Sequence, residues 1–129
     1  MFNNFIKSKL RLDLKSFKRS HNITNHVNGR QIQFRYIDSS SNGKSIAFAQ
    51  FIVTTGQIGM LDIDKQFQRK GLGKQIIKEI EDVLKLYNVK EIWVACSSNH
   101  YYWSNLPGFQ FRDFIHPSVN NTGYYKMLE

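Results

Sequence analysis

The chain of 129 residues is 41% hydrophobic and 22% charged, the composition of one soluble globular domain with room for a sizeable core. Its single cysteine, Cys96, excludes a disulfide framework and a cysteine-based zinc site. The four histidines (His21, His26, His100, His116) lack close ligand spacing, and no apolar run approaches the roughly 18 residues of a membrane span, so neither a metal nor a membrane partner is expected. The net charge of +8 is uneven: residues 1–20 hold six Lys/Arg and one acidic residue, while the rest of the chain holds 12 and 9. With the excess confined to one segment, no nucleic-acid partner is expected.

Residues 1–25 form a basic segment in which Phe2, Phe5, Ile6, Leu10, Leu14 and Phe17 recur at helical spacing, opposite Lys and Arg. Two readings stand: an amphipathic first helix packed on the domain, or a mitochondrial presequence, which is also basic, amphipathic and acid-poor. Localisation is cytoplasmic on the first and mitochondrial on the second. Residues 26–129 read as one domain. Past the polar stretch SHNITNHVNG, the alternation in RQIQFRYID predicts a half-buried strand, and SSSNGKS a turn. IAFAQFIV is a second strand. QIGMLDID is a third, with Ile58, Met60 and Asp62 on one face and Gly59, Leu61 and Ile63 on the other. The short turns favour an antiparallel meander.

The loop KQFQRKGLG leads into a helix whose Leu72, Ile76, Ile77, Ile80, Val83, Leu84 and Tyr87 follow the 3.6-residue period, with Lys78, Glu79, Glu81, Asp82 and Lys85 outside. Asn88 suits a left-handed cap. EIWVAC reads as a buried strand reached by a right-handed parallel crossover, with Cys96 a small core residue. SNHYYWSNLPG is an aromatic loop or short helix, and FQFRDFI and GYYKMLE close the chain as a hairpin across HPSVNNT. The fold class is α+β, with one mixed sheet and at least one packed helix.

Two glycines ahead of a helix let backbone approach a ligand closely, and the first turn points bare N–H groups forward, a setting for phosphate. A Walker A loop is excluded, because Gln68 stands where the first glycine belongs and Gln75 replaces the magnesium-binding hydroxyl. A dinucleotide fingerprint fails at Ile76, where a third glycine is required. What remains is Q-x-x-G-x-G over Gln68–Gly73, flanked by Arg69, Lys70 and Lys74, which would suit a diphosphate.

LDIDKQFQRKGLGKQIIKEI resembles the central motif of the GNAT superfamily of N-acetyltransferases, and the order of elements agrees over about residues 30–129, including LPGF and a last strand. The resemblance implies an acetyl-CoA-dependent N-acetyltransferase in which an amine attacks the thioester directly. It implies that Leu61, Asp62 and Ile63 line the pantetheine arm. The N–H groups of Gln68, Arg69, Lys70, Gly71, Leu72, Gly73 and Lys74 would hold the diphosphate, and Asn99 would touch the coenzyme. The Ile63 N–H would serve the oxyanion. Two departures accompany it. Gln57 stands where many members carry a Glu, which leaves Asp62, Asp64 or His100 as a base. The family's acidic Tyr aligns near Trp103 or Ser104, which makes Tyr102 the first choice as acid, ahead of Tyr101. Only two strands are expected before the motif strand, so the acceptor groove would be open, suited to a protein amine or a polyamine, with a homodimer as one option for assembly. The alternatives are a non-catalytic acyl-CoA-binding domain of the same fold and a basic nucleic-acid module.

Overall fold

The computed structural model describes residues 11–95, 99–117, 119 and 121–129. Phe2, Phe5, Ile6, Leu10 and Cys96 lie outside the described residues. Strands β1 (Lys18–His26), β2 (Gly29–Asp38), β3 (Lys44–Ile52) and β4 (Ile58–Ile63) form an antiparallel meander in that spatial order. Helix α1 (Leu72–Leu86) crosses to β5 (Glu91–Ala95), which is followed by the short α2 (His100–Ser104), β6 (Gln110–Arg112) and β7 (Gly123–Met127). The second sheet runs β5-β7-β6, again antiparallel. The α+β class and the meander, helix and closing hairpin follow the sequence reading. The expected mixed sheet is divided into two antiparallel parts that meet through one parallel bridge, Gln57–Trp93.

β1 was not expected. All nine of its residues are exposed, so it carries no apolar alternation that a sequence pattern could reveal. It pairs along its whole length with β2 across a tight turn at Val27 and Asn28, which makes three strands, not two, ahead of β4. Arg11–Phe17 is not helical as the apolar spacing suggested. Asp13 caps a single 3-10 turn, Leu14–Ser16, by accepting from Lys15 N–H, and Phe17 is already extended. The reason is tertiary. The Gln75 side chain holds this strap open, accepting from Leu14 N–H (2.8 Å) and donating to Leu12 O (2.7 Å), which supplies partners a helix would otherwise provide. Leu14 is 3% exposed and belongs to the core, and Phe17 meets Phe67 edge-on at 5.8 Å.

α1 buries Leu72, Ile76, Ile77, Ile80 and Leu84 against Phe34, Tyr36 and Phe51 of the first sheet and Ile92 and Val94 of β5, with each large side chain contributing roughly 1.5–3 kcal/mol. The helix ends where the sequence placed its cap, with Asn88 at φ 62°. Glu81, expected outside, is buried, and the Lys126 ammonium donates to it at 3.0 Å. β4 also departs from strict alternation. Phe51 pairs with Ile58 and Gln50 with Met60, leaving Gly59 as an extra residue in a bulge. Ile58 thereby joins Leu61 and Ile63 on the core side, while Met60 and Asp62 face solvent.

The docked strap predicts that Leu14→Ala costs about 3 kcal/mol, within the usual range for a core leucine. Urea unfolding at unchanged m-value measures it, and a loss below about 0.5 kcal/mol would show that the strap does not close the core.

Candidate active site

The site begins where β4 and β5 part. At the Gln57–Trp93 bridge, Trp93 N–H donates to Gly56 O (3.0 Å). Beyond it, among the described residues, β4 pairs with β3 and β5 with β7, so their facing edges are open. In an antiparallel pair, successive residues aim their N–H and C=O alternately at the partner strand and away from it. Asp64 N–H donates to Ile46 O on β3 (2.8 Å), so Ile63 and Leu61 turn theirs into the gap. Gln68 Nε2, donating to Ile63 O at 2.8 Å, agrees with that direction. Of the three positions expected to line the coenzyme arm, Leu61 and Ile63 therefore face the gap. Asp62 does not: its backbone faces β3 and its side chain is exposed on the opposite side from Leu61 and Ile63.

The loop after β4 makes one 3-10 turn, Lys65–Phe67, and then reverses through Arg69 (φ 61°) and Gly71 (φ 85°) into α1. Gly71 is the N-cap, supplies no side-chain cap and sits in a left-handed conformation that a side chain would strain. The first-turn N–H groups have no intrahelical acceptors, and the dipole adds partial positive charge, so the loop can hold an anion. Arg69 and Lys74 are exposed beside it, and Lys70 is half-buried. Gln68 contributes differently from the expectation. Its N–H is already used within the turn, to Lys65 O at 3.3 Å, and its side chain ties the loop back to β4.

The aromatic segment resolves into the five residues of α2. Tyr102 reaches the channel: a Cβ built on Gly73 would collide with its hydroxyl and would lie 3.5 Å from Ile63 Cδ1. Burial pushes the Tyr102 phenol above its ordinary value, so it stays protonated at neutral pH. Tyr101 is 84% exposed and Trp103 is buried in the core, edge-on to Tyr102. Asn99 precedes α2 in a left-handed conformation, and its side chain does not cap the helix. Of the remaining candidate bases, Asp64 pairs with Lys44 (3.4 Å) and His100 Nδ1 lies 3.2 Å from the Tyr124 hydroxyl. Gln57 is part of the bridge itself.

The sequence reading missed the strap at the loop. Leu12 N–H donates to Lys70 O (2.8 Å), Gln75 clamps Leu12 and Leu14, and the Arg11 side chain crosses Gly71, with Nη1 3.1 Å and Cγ 3.4 Å from where a Cβ would stand. No local signal could have found contacts spanning some sixty positions.

The sequence model of the "Acetyltransferase (GNAT) family" matches residues 10–103. The chain belongs to this family. It is therefore an N-acetyltransferase that uses acetyl-CoA as co-substrate. The match starts at residue 10, where the sequence reading placed the onset near Arg30, and so includes the strap and β1. Solved GNAT structures share the fold. An acetyltransferase of the GNAT family from Staphylococcus aureus Mu50 is 19% identical, with TM-score 0.63 over 77% of this chain and 68% of that one. N-acetylglutamate synthase from Neisseria gonorrhoeae, complexed with coenzyme A and N-acetyl-glutamate, is 18% identical, with TM-score 0.59 over 77% of this chain and 26% of that one. A GNAT family acetyltransferase from Elizabethkingia anophelis with acetyl-CoA bound is 12% identical, with TM-score 0.53 over 86% and 97%. At these identities the likeness is one of fold. A comparison with curated proteins finds no match.

The Gly73–Tyr102 contact predicts that Gly73→Ala destabilises the wild-type chain more than it destabilises Tyr102→Phe, by a coupling of about 1 kcal/mol in a double-mutant cycle. Effects that add to within about 0.3 kcal/mol would mean that the phenol does not rest on the first turn of α1.

Proposed function

We propose that the enzyme acetylates a primary amine presented from open solvent, on a protein or a polyamine, by direct attack on the thioester held between β4 and β5. The observation that carries this reading is the open edge of β4, where, among the described residues, the N–H and C=O of Leu61 and the N–H of Ile63 face the gap without a strand partner, beside a helix N-terminus and a protonated phenol. The bound coenzyme A and acetyl-CoA of the Neisseria and Elizabethkingia structures support placing the same ligand here. Its diphosphate takes the N–H groups of Gly71, Leu72, Gly73 and Lys74 with the Arg69 and Lys70 charges alongside, its pantetheine amides pair with Leu61 and Ile63, and Asn99 borders the arm. The gap-facing N–H on β4 that no pantetheine amide engages is the donor for the oxyanion.

The amine nitrogen bonds to the thioester carbon, the tetrahedral oxyanion collapses, the C–S bond breaks and the thiolate leaves. The acceptor ammonium, near pKa 10.4, must first lose its proton. Asp62 is the carboxylate of β4 without an ion pair among the described residues, and it takes that proton through water. Tyr102, whose hydroxyl rests against Gly73 on the first turn of α1, turns from there toward the thioester to return a proton to the sulfur. A thiol with a pKa of roughly 8.5 is a good leaving group, so this acid accelerates turnover without being indispensable. The two-residue β1–β2 turn places no helix between these two strands, which favours an acceptor bound from solvent and not one enclosed in a pocket.

Tyr102→Phe should lower kcat by up to about 10²-fold with little change in KM for acetyl-CoA. An unchanged kcat with raised KM would make the phenol a coenzyme contact and not the acid. The pH profile gives a second check. The acid works only while protonated and burial raises its pKa, so the decline due to Tyr102 should lie above the ordinary phenol value of about 10 and disappear in Tyr102→Phe. Coenzyme A bound without acetylation of any member of a broad amine panel would instead favour the acyl-CoA-binding reading that Gln57 motivates.

A further inference from the structure

The acetyl-CoA site was read from the glycine motif, yet the structure brings a fourth cation to it from outside the motif. Arg11 lies on the strap that precedes β1. Its stem packs along Gly71, with Cγ and Cδ at 3.4 and 3.5 Å from the position of a Cβ, and Nη1 stands at 3.1 Å from the same point. The strap is fastened on both sides of the loop: Leu12 N–H donates to Lys70 O, Gln75 Nε2 donates to Leu12 O and to Gly71 O (3.1 Å), and Leu14 N–H donates to Gln75 Oε1. Leu14 anchors the far end in the core. Arg11 is thus delivered by fixed backbone.

Its electrostatic setting is adverse as it stands. A cation at a helix N-terminus meets the positive end of the dipole, and Arg69, Lys70 and Lys74 share the same loop. No carboxylate among the described residues forms an ion pair with Arg11. A dianionic group lying on the first-turn N–H groups attracts each of these cations and so offsets their mutual repulsion, and a guanidinium matches it in bidentate fashion.

We propose that Arg11 is a ligand of the coenzyme diphosphate, supplied by the N-terminal strap and not by the glycine motif. This rests on the acetyl-CoA reading of the loop. It gives the strap a binding role: the strap covers the core with Leu14 and closes the phosphate site with Arg11.

The test is calorimetric titration of the full chain with coenzyme A and with dephospho-coenzyme A. Arg11→Ala should weaken coenzyme A about tenfold, equivalent to about 1.4 kcal/mol. Arg11→Met keeps the stem on Gly71 without the charge and should lose as much, while thermal unfolding of the unliganded chain stays as in wild type. Arg11→Lys should recover part of the loss. An equal loss with dephospho-coenzyme A supports the diphosphate, whereas a loss seen only with coenzyme A moves the contact to the 3′-phosphate and overturns the assignment. Affinity of Arg11→Met within twofold of wild type also overturns it while leaving the acetyl-CoA site intact. A folded wild-type chain that binds neither compound overturns the coenzyme reading itself.

Discussion

The parallel contact between Gln57 and Trp93 is the constraint on which the site depends. It is the point where the two antiparallel sheets meet, and among the described residues no further pairing of β4 with β5 follows it. Trp93 holds the junction. The side chain is fully buried, its indole N–H donates to Thr55 O at 2.8 Å, its backbone N–H reaches Gly56, and its ring stacks on His116 at 4.5 Å. Backbone groups on an open strand edge need partners. Along β4 beyond the junction, among the described residues, those groups are the N–H and C=O of Leu61 and the N–H of Ile63, whose C=O is taken by Gln68, so the fold itself creates a demand that an amide-bearing ligand can meet. The Gly59 bulge adds to the divergence, since the extra residue bends β4 and increases its local twist.

The chemistry is shaped by what surrounds this gap. Two of the acidic or basic groups nearest to hand are already committed, Asp64 to Lys44 and His100 to Tyr124, and Gln57 cannot accept a proton. On the proposed mechanism, deprotonation of the acceptor falls to water and an exposed carboxylate, an arrangement that works best when the amine arrives already partly neutral. Departure of the thiolate is the easier half, and the Tyr102 phenol is protonated at neutral pH, with partial burial raising its pKa further. The enzyme therefore relies more on holding the thioester in a prepared cleft than on strong acid–base groups.

The sequence made part of this legible and concealed the rest for identifiable reasons. β2, β3 and α1 announce themselves because each buries one face, which imposes a period of 2 or 3.6 on its residues. β1 buries no face and so leaves no pattern. The strap was read as helical because Leu14 and Phe17 do sit at helical spacing, but the partners that keep it extended are sixty positions away on Gln75. Glu81 looks like a surface residue on a helical wheel, and only β7 brings Lys126 to neutralise it. At the site, the glycine loop was visible because a left-handed N-cap demands glycine locally. The direction in which Leu61, Asp62 and Ile63 turn their backbone depends on the register with β3, which no strand can state by itself.

The strap also links stability to coenzyme binding. The Gln75 side chain satisfies Leu12, Leu14 and Gly71 together, so lifting the strap would leave its amide, the Lys70 carbonyl and the Leu14 pocket unsatisfied at once. Loop geometry and strap docking are thus one cooperative unit, not two independent features. By linkage, whatever factor the docked strap adds to coenzyme affinity is the factor by which bound coenzyme holds the strap down. Binding to the folded state raises stability as ligand exceeds its dissociation constant, by about 2.7 kcal/mol at a hundredfold excess. Removal of residues 1–20 would consequently act twice, uncovering Leu14's place in the core and taking Arg11 and Leu12 from the loop. The basic segment cannot be separated from the site merely because the glycine motif begins fifty residues later.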